Sequence, residues 1–266
     1  MISLPLFRRE AKSNYKLLLI FMGVLTLYGS MIIAMFDPAL GDSLAQMAQS
    51  MPQLFAAFGM LDVGATLVAF CANYLYGFLL VVLPLVFTVI LSNRLVARYV
   101  DRGSMAYLLA TPCTRRKLIA TQIFVLCGSL ALLFFYVTVL CLCVSAALFP
   151  NEMDVKSFIL LNVGAYCLAV FLAGVCFFPS CVCNDSKTST GIGAGICIAF
   201  VLLQMLAQVG EKFEVLRYAT PLTLFNTDAI LANEASALWH CGILLLFGLL
   251  LMVCGQVIFM RRDLPV

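Results

Sequence analysis

Apolar residues fall in long blocks along this chain, with the charges gathered between them. A hydrocarbon layer roughly 30 Å thick takes about 20 apolar residues at about 1.5 Å rise each. Six runs meet that length, at residues 17–36, 67–91, 118–148, 157–179, 191–209 and 238–259. The pattern predicts an all-α integral membrane protein with six transmembrane helices in a single domain over 1–266. The third run exceeds one perpendicular crossing, so it is expected to tilt or to extend beyond the bilayer. The first is longer than the core of a cleavable signal peptide and no small-residue cleavage pattern follows it, which predicts a retained helix.

Shorter patterns fill the gaps. Residues 3–16 set Leu4, Leu6 and Phe7 before Arg8, Arg9, Lys12 and Lys16, a basic amphipathic lead into the first run. Between the first two runs, Met47, Met51, Leu54, Phe55 and Phe58 share one helical face, which predicts an interfacial helix serving as a lid or a lipid-seated connector. After the second run, Asp101 or Ser104 can cap a helix, Gly103 permits a sharp turn, and Met105, Leu108 and Leu109 form one apolar face. Pro112 forces Thr111 out of helical geometry. The spacing predicts a helix of about two turns within 101–112.

Composition agrees: 64% of residues are hydrophobic and 11% charged, against about 25% charged in soluble domains. Charge placement adds an orientation. With the N-terminus inside, thirteen of the sixteen Lys and Arg fall on cytoplasmic segments, and only Lys156, Lys212 and Arg217 fall outside. Both termini are thus expected in the cytoplasm, in a cell (plasma or inner) membrane. The stretch from Asn93 to Lys117 holds six of those cations. It reads either as a docking element for a cytoplasmic partner or as a surface loop whose cations set topology.

Candidate chemistry is sparse. Most of the twelve cysteines lie in apolar runs and act there as small hydrophobes. Cys181 and Cys183 alone have a chelating look, without a His or Met cluster to complete a site, so no metal is expected. The single histidine, His240, sits beside Trp239 and is assigned to the aromatic belt. No Asp, Glu, Lys, Arg or His lies well within a run, which disfavours an ion-coupled carrier. The amides and hydroxyls inside the runs, Asn73, Thr88, Gln122, Thr138, Asn162, Gln204, Gln208 and Gln256, are expected to hydrogen-bond between helices. Gln204 and Gln208, four residues apart, share a face. Gly191, Gly193 and Gly195 are expected to let helices pack closely. No catalytic constellation is present, nor a phosphate-binding lysine loop, nor a basic surface interleaved with aromatics; the chain is read as neither an enzyme nor a nucleic-acid binder.

In Asp101-Arg102-Gly103, the Leu108-Leu109 helix and Pro112-Cys113-Thr114-Arg115, the chain resembles the coupling-helix region of ABC-2 type ABC transporter permeases. The basic lead Phe7-Arg8-Arg9-Glu10, the Pro221-centred segment from Tyr218 to Asn226 and the ending Phe259-Met260-Arg261-Arg262-Asp263 are similar as well. Asp101 stands where a glutamate is commoner. The resemblance implies an exporter's permease subunit, dimeric with another copy or a paralogue, that uses ATP and Mg bound by separate cytoplasmic ATP-binding cassette ATPase subunits. It assigns coupling to Asp101, Arg102, Gly103, Met105, Tyr107, Leu108, Leu109, Pro112 and Arg115. It makes residues 3–16 an amphipathic N-terminal interfacial helix on the inner leaflet, with Leu4, Leu6 and Phe7 as lipid anchors, and makes Asn73, Tyr76, Gln204 and Gln208 candidates for the translocation path, with spans two and five at the dimer interface. A hydrophobic or amphipathic cargo, such as a drug or antimicrobial peptide, is expected. An ATP-independent channel or carrier and a non-transporting membrane scaffold are the alternatives.

Overall fold

The computed structural model describes residues 3–36, 50–51, 66–105, 114–208 and 220–261, and every regular element among them is helical. Six helices are long and apolar enough to cross a membrane: α1 (Leu4–Ala34), α2 (Leu67–Asp101), α3 (Arg115–Leu148), α4 (Val155–Val182), α5 (Ser186–Gln208) and α7 (Ala235–Arg261). A short α6 (Thr227–Leu231) precedes the last. This is a multi-pass membrane protein, and large apolar side chains such as Ile20, Leu27, Phe135 and Leu246 point outward as lipid requires. The interfacial helix expected around Met47 to Phe58 falls almost entirely outside the described residues; of its apolar face only Met51 is described, and it is exposed.

The central helix is α4, which packs on α2, α3, α5 and α7 and buries most of its length. Water drives little association inside a bilayer, so close approach of backbones must supply the packing. Gly174 and Gly248 provide it. A Cβ built on Gly174 would lie 2.5 Å from the Gly248 carbonyl oxygen, and one on Gly248 would lie 2.7 Å from the Phe171 Cα. Glycine is the only residue that fits either position, and α4 and α7 cross backbone to backbone there. Of the glycines expected to pack in α5, only Gly193 does so, with its absent Cβ 3.1 Å from the Cys176 Cα; Gly191 and Gly195 face open space. Helical geometry separates them, since residues two apart cannot share a face.

The first helix differs from expectation. Residues 3–16 are not a separate interfacial helix but continue without a break into the first span. The reason lies in the side chains it buries: Leu6, Glu10, Asn14, Leu17, Phe21, Leu25, Gly29 and Ile33 recur every three or four residues, one stripe from end to end. Pro5, in the first turn, interrupts nothing. Leu6 is therefore buried and Phe7 packs on Phe124 at 5.6 Å between ring centroids, so of the three expected lipid anchors only Leu4 is exposed. Along its length α1 rides on α3, tied by the Ser3 N–H to Thr121 Oγ1 at 3.0 Å and by Thr26 and Tyr136 hydroxyls at 2.6 Å.

At the opposite end of the bundle from the N-terminus, Phe36 stacks edge-on against both Phe70 and Phe149. The Pro221 segment forms a single 3₁₀ turn, Pro221–Leu224, followed by α6, whose start is capped by the Asn226 side chain. Phe225 and Ile230 fill the hollow over Gly164 of α4. Asp154 and Asp185 cap α4 and α5; hydrogen bonds from the Ser157 hydroxyl to Asp154, and from the Thr188 hydroxyl and amide to Asp185, hold both carboxyls below the usual carboxylate range.

A Gly248→Ala change must push α4 and α7 apart, at a cost of about 1–3 kcal/mol. The melting temperature of the protein in mild detergent is expected to fall, while Gly242→Ala, whose added Cβ meets nothing within 4 Å, leaves it unchanged or higher.

Candidate functional site

The coupling candidates begin where α2 ends. Two stretches of α2, Ala72–Leu79 and Asn93–Ala97, wind as π-helix, with Pro84 between them. Wide turns of this kind re-aim the side chains that follow. Arg94 within the second, Arg98 just after it and Arg102 at the C-cap of α2 stand four residues apart and form one ridge. The helix closes on Gly103, whose φ of 65° lies in the left-handed region and whose N–H donates to the Val100 carbonyl at 3.0 Å. Nothing surrounds the missing Cβ, so the demand for glycine is conformational, not steric.

This exit is braced on both sides. Tyr99 donates its hydroxyl to Glu10 Oε1 of α1 at 2.8 Å, and Ser104 donates to the Tyr99 carbonyl at 3.3 Å. Val100 and Met105 are buried on either side of the glycine turn, whereas Asp101, Arg102 and Gly103 are exposed. Ser104 thus bonds back to α2; the backbone amides it would cap as a helix start lie outside the described residues. The chain returns at Thr114, whose hydroxyl caps α3 by accepting from the Lys117 N–H at 3.4 Å, and Arg115 is the first residue of that helix. Tyr107, Leu108, Leu109 and Pro112 lie outside the described residues.

Glu10 joins the candidate site through a contact that motif reading missed. It is 1% exposed, and its burial was legible in the spacing, because it falls in register with the apolar stripe of α1. A buried carboxylate is costly unless hydrogen-bonded, and here the phenol of Tyr99 satisfies it.

The four path candidates form two separate pairs. Asn73 and Tyr76 sit in the first π-helical stretch and are buried inside the bundle, with the Tyr76 ring edge-on to Phe158 at 6.0 Å. Gln204 and Gln208 are half-exposed on α5, the helix that buries least within this chain. Among the residues buried by α5 are only Ser189, Gly193 and Cys197.

Three of the eight amides and hydroxyls named within spans bond to a carbonyl of their own helix: Thr88 to Pro84, Thr138 to Phe134, Asn162 to Phe158. The carbonyl four residues back is always in reach, which a more distant partner is not. Gln256 does cross, donating to the Arg116 carbonyl at 3.2 Å. Gln122 is fully buried, with its amide near the Glu10 carboxyl of α1. No group of three His, Cys, Asp or Glu capable of holding a metal occurs among the described residues, and Cys181 is buried against Gly255. Trp239 is exposed on α7, as a belt residue would be.

A family model for ABC-2 family transporter proteins matches residues 12–264, nearly the whole chain. The chain belongs to that family. It is accordingly the membrane component, a permease, of an ABC-type transporter, as the resemblance of the loop after α2 implied. No match to a curated protein was found.

Gly103→Val is expected to destabilise the α2 exit by about 1–2 kcal/mol, because a β-branched residue resists left-handed geometry. Gly103→Asn, which tolerates it, is expected to stay close to the wild type. Limited proteolysis in detergent, reading cleavage between α2 and α3, checks the pair.

Proposed function

We propose that this permease is an exporter subunit, driven by ATP and Mg bound on separate cytoplasmic ATP-binding cassette ATPase subunits, and that the segment 101–112 is its contact with them. The observation that carries the reading is the construction of the α2 exit. A mechanical contact needs a fixed base, and Gly103, Tyr99, Glu10 and Met105 tie the base to α1 and to the core. Asp101 and Arg102 project from it, and Arg115 re-enters beside the Thr114 cap. In this reading both termini and the basic end of the bundle face the cytoplasm of a cell that carries the protein in its plasma or inner membrane.

The cargo class follows from the spans. Apolar walls with a few amides suit a hydrophobic or amphipathic molecule, such as a drug or an antimicrobial peptide, better than an ion. A second copy or a paralogue completes the transporter. The thinly packed face of α5, with Gln204 and Gln208, is the surface it would share, and membrane lipids cover the rest.

Two measurements test this. Gentle detergent purification from native membranes is expected to bring down an ATPase subunit in stoichiometric amount, identified by mass spectrometry; protein that purifies alone and transports in liposomes without ATP overturns the reading. Replacing Leu108 and Leu109 by Asp is expected to leave membrane insertion intact and cut ATPase capture by about tenfold or more, since a desolvated contact rejects charge. Capture that survives the double change removes the coupling assignment.

A further inference from the structure

The arginine ridge of α2 separates two clefts; from their linings the coupling reading takes Asp101, Arg102 and the brace between Glu10 and Tyr99, but it gives the clefts themselves no ligand. The first, about 230 Å³, opens toward α1 and brings Ser13, Asn14 and Ser104 to the three guanidinium groups. The second, about 310 Å³, opens toward the start of α5 and brings Asn93, Ser186 and Thr190 to the same three. Arg94, Arg98 and Arg102 line both.

Two carboxylates share these clefts. Glu10 lines the first, yet it is 1% exposed and engaged by Tyr99. Asp101 lines the second and is exposed. Against three cations they leave the ridge positive. The remaining polar groups are neutral: Ser186 donates to Asn93 Oδ1 at 2.7 Å, which orients that amide and leaves its NH₂ free to donate.

Depth selects the ligand. Arg94 lies two residues beyond Ser92, where the apolar part of α2 ends, so a bilayer matched to that apolar length would bring its headgroups to the ridge. Guanidinium forks match pairs of phosphate oxygens, and basic pockets between helices at a membrane border take phosphate headgroups. Carboxylates offer fewer oxygens and no second charge to a three-arginine ridge.

We propose that Arg94, Arg98 and Arg102, with the two clefts they divide, bind the phosphate of an anionic ligand, supplied by a lipid headgroup or by free phosphate. The site stands on this geometry alone and does not rest on the export reading.

The full chain in neutral detergent provides the test. One arm adds phosphatidylglycerol against phosphatidylcholine; the other adds sodium phosphate against sodium chloride at matched ionic strength. Melting temperature and lipid retention in native mass spectrometry are read in both. Phosphatidylglycerol is expected to be retained and to raise the melting temperature where phosphatidylcholine does not, and protection by inorganic phosphate alone identifies a free anion as competent. Arg94→Gln, Arg98→Gln and Arg102→Gln together are expected to weaken binding about tenfold or more. The matched triple change Arg8→Gln, Lys12→Gln and Lys16→Gln, exposed cations lining neither cleft, is expected to weaken it less than about twofold. If the ladder triple elutes aggregated, Arg98→Gln alone and the Arg→Lys triple replace it. Lysine keeps the charge and loses the fork, so an intermediate loss is expected. Equal losses in the ladder and matched variants, or equal stabilisation by all four additives, overturn the proposal.

Discussion

Everything in this bundle is arranged around one approach, the crossing of α4 and α7 at Gly174 and Gly248. With lipid on the outside as apolar as the core, oily side chains gain little by burial, and only backbones that touch gain dispersion contacts and exclude acyl chains. The crossing fixes α4 as the axis. Once α4 is placed, Gly193 against Cys176 sets α5, and Gly164 under Phe225 and Ile230 seats the short segment before α7. Helices α1 and α3 then pair along the other flank through Phe7 with Phe124 and Thr26 with Tyr136.

How much of this was legible in the sequence follows from which physics each feature obeys. Hydrophobic block length alone marks the six spans, because a bilayer imposes it on every helix alike. The ends were harder. Each helix runs past its apolar block into charged residues, as α2 does from Leu91 to Asp101, since backbone hydrogen bonding continues until a cap such as Gly103 stops it. Which glycines touch was not legible, because Gly191 and Gly193 are equivalent until the partner helix is placed. Amides misled for a related reason: Asn162 and Gln204 carry no mark of whether a partner or their own helix will satisfy them.

At the candidate site, the turn at Gly103 was readable as a need for glycine, and the loop after α2 carried the family resemblance that the match over residues 12–264 then bore out. Its bracing was not. Tyr99 and Glu10 are 89 residues apart, and a contact of that kind depends on where two helices cross, which no local pattern encodes. Glu10 does fall in register with the buried stripe of α1, a spacing that continues through Leu6, Asn14 and Leu17.

The unbroken first helix has a mechanical meaning. At about 1.5 Å per residue, α1 is a rod of about 46 Å with no hinge between Glu10, where it holds the exit of α2, and its far end beside Phe36. A stiff rod pinned near both ends converts a small tilt at one into a displacement at the other. A shift of Tyr99 that drags Glu10 would therefore be carried by one unbroken helix to the far end of the bundle, where Phe36 meets Phe70 and Phe149.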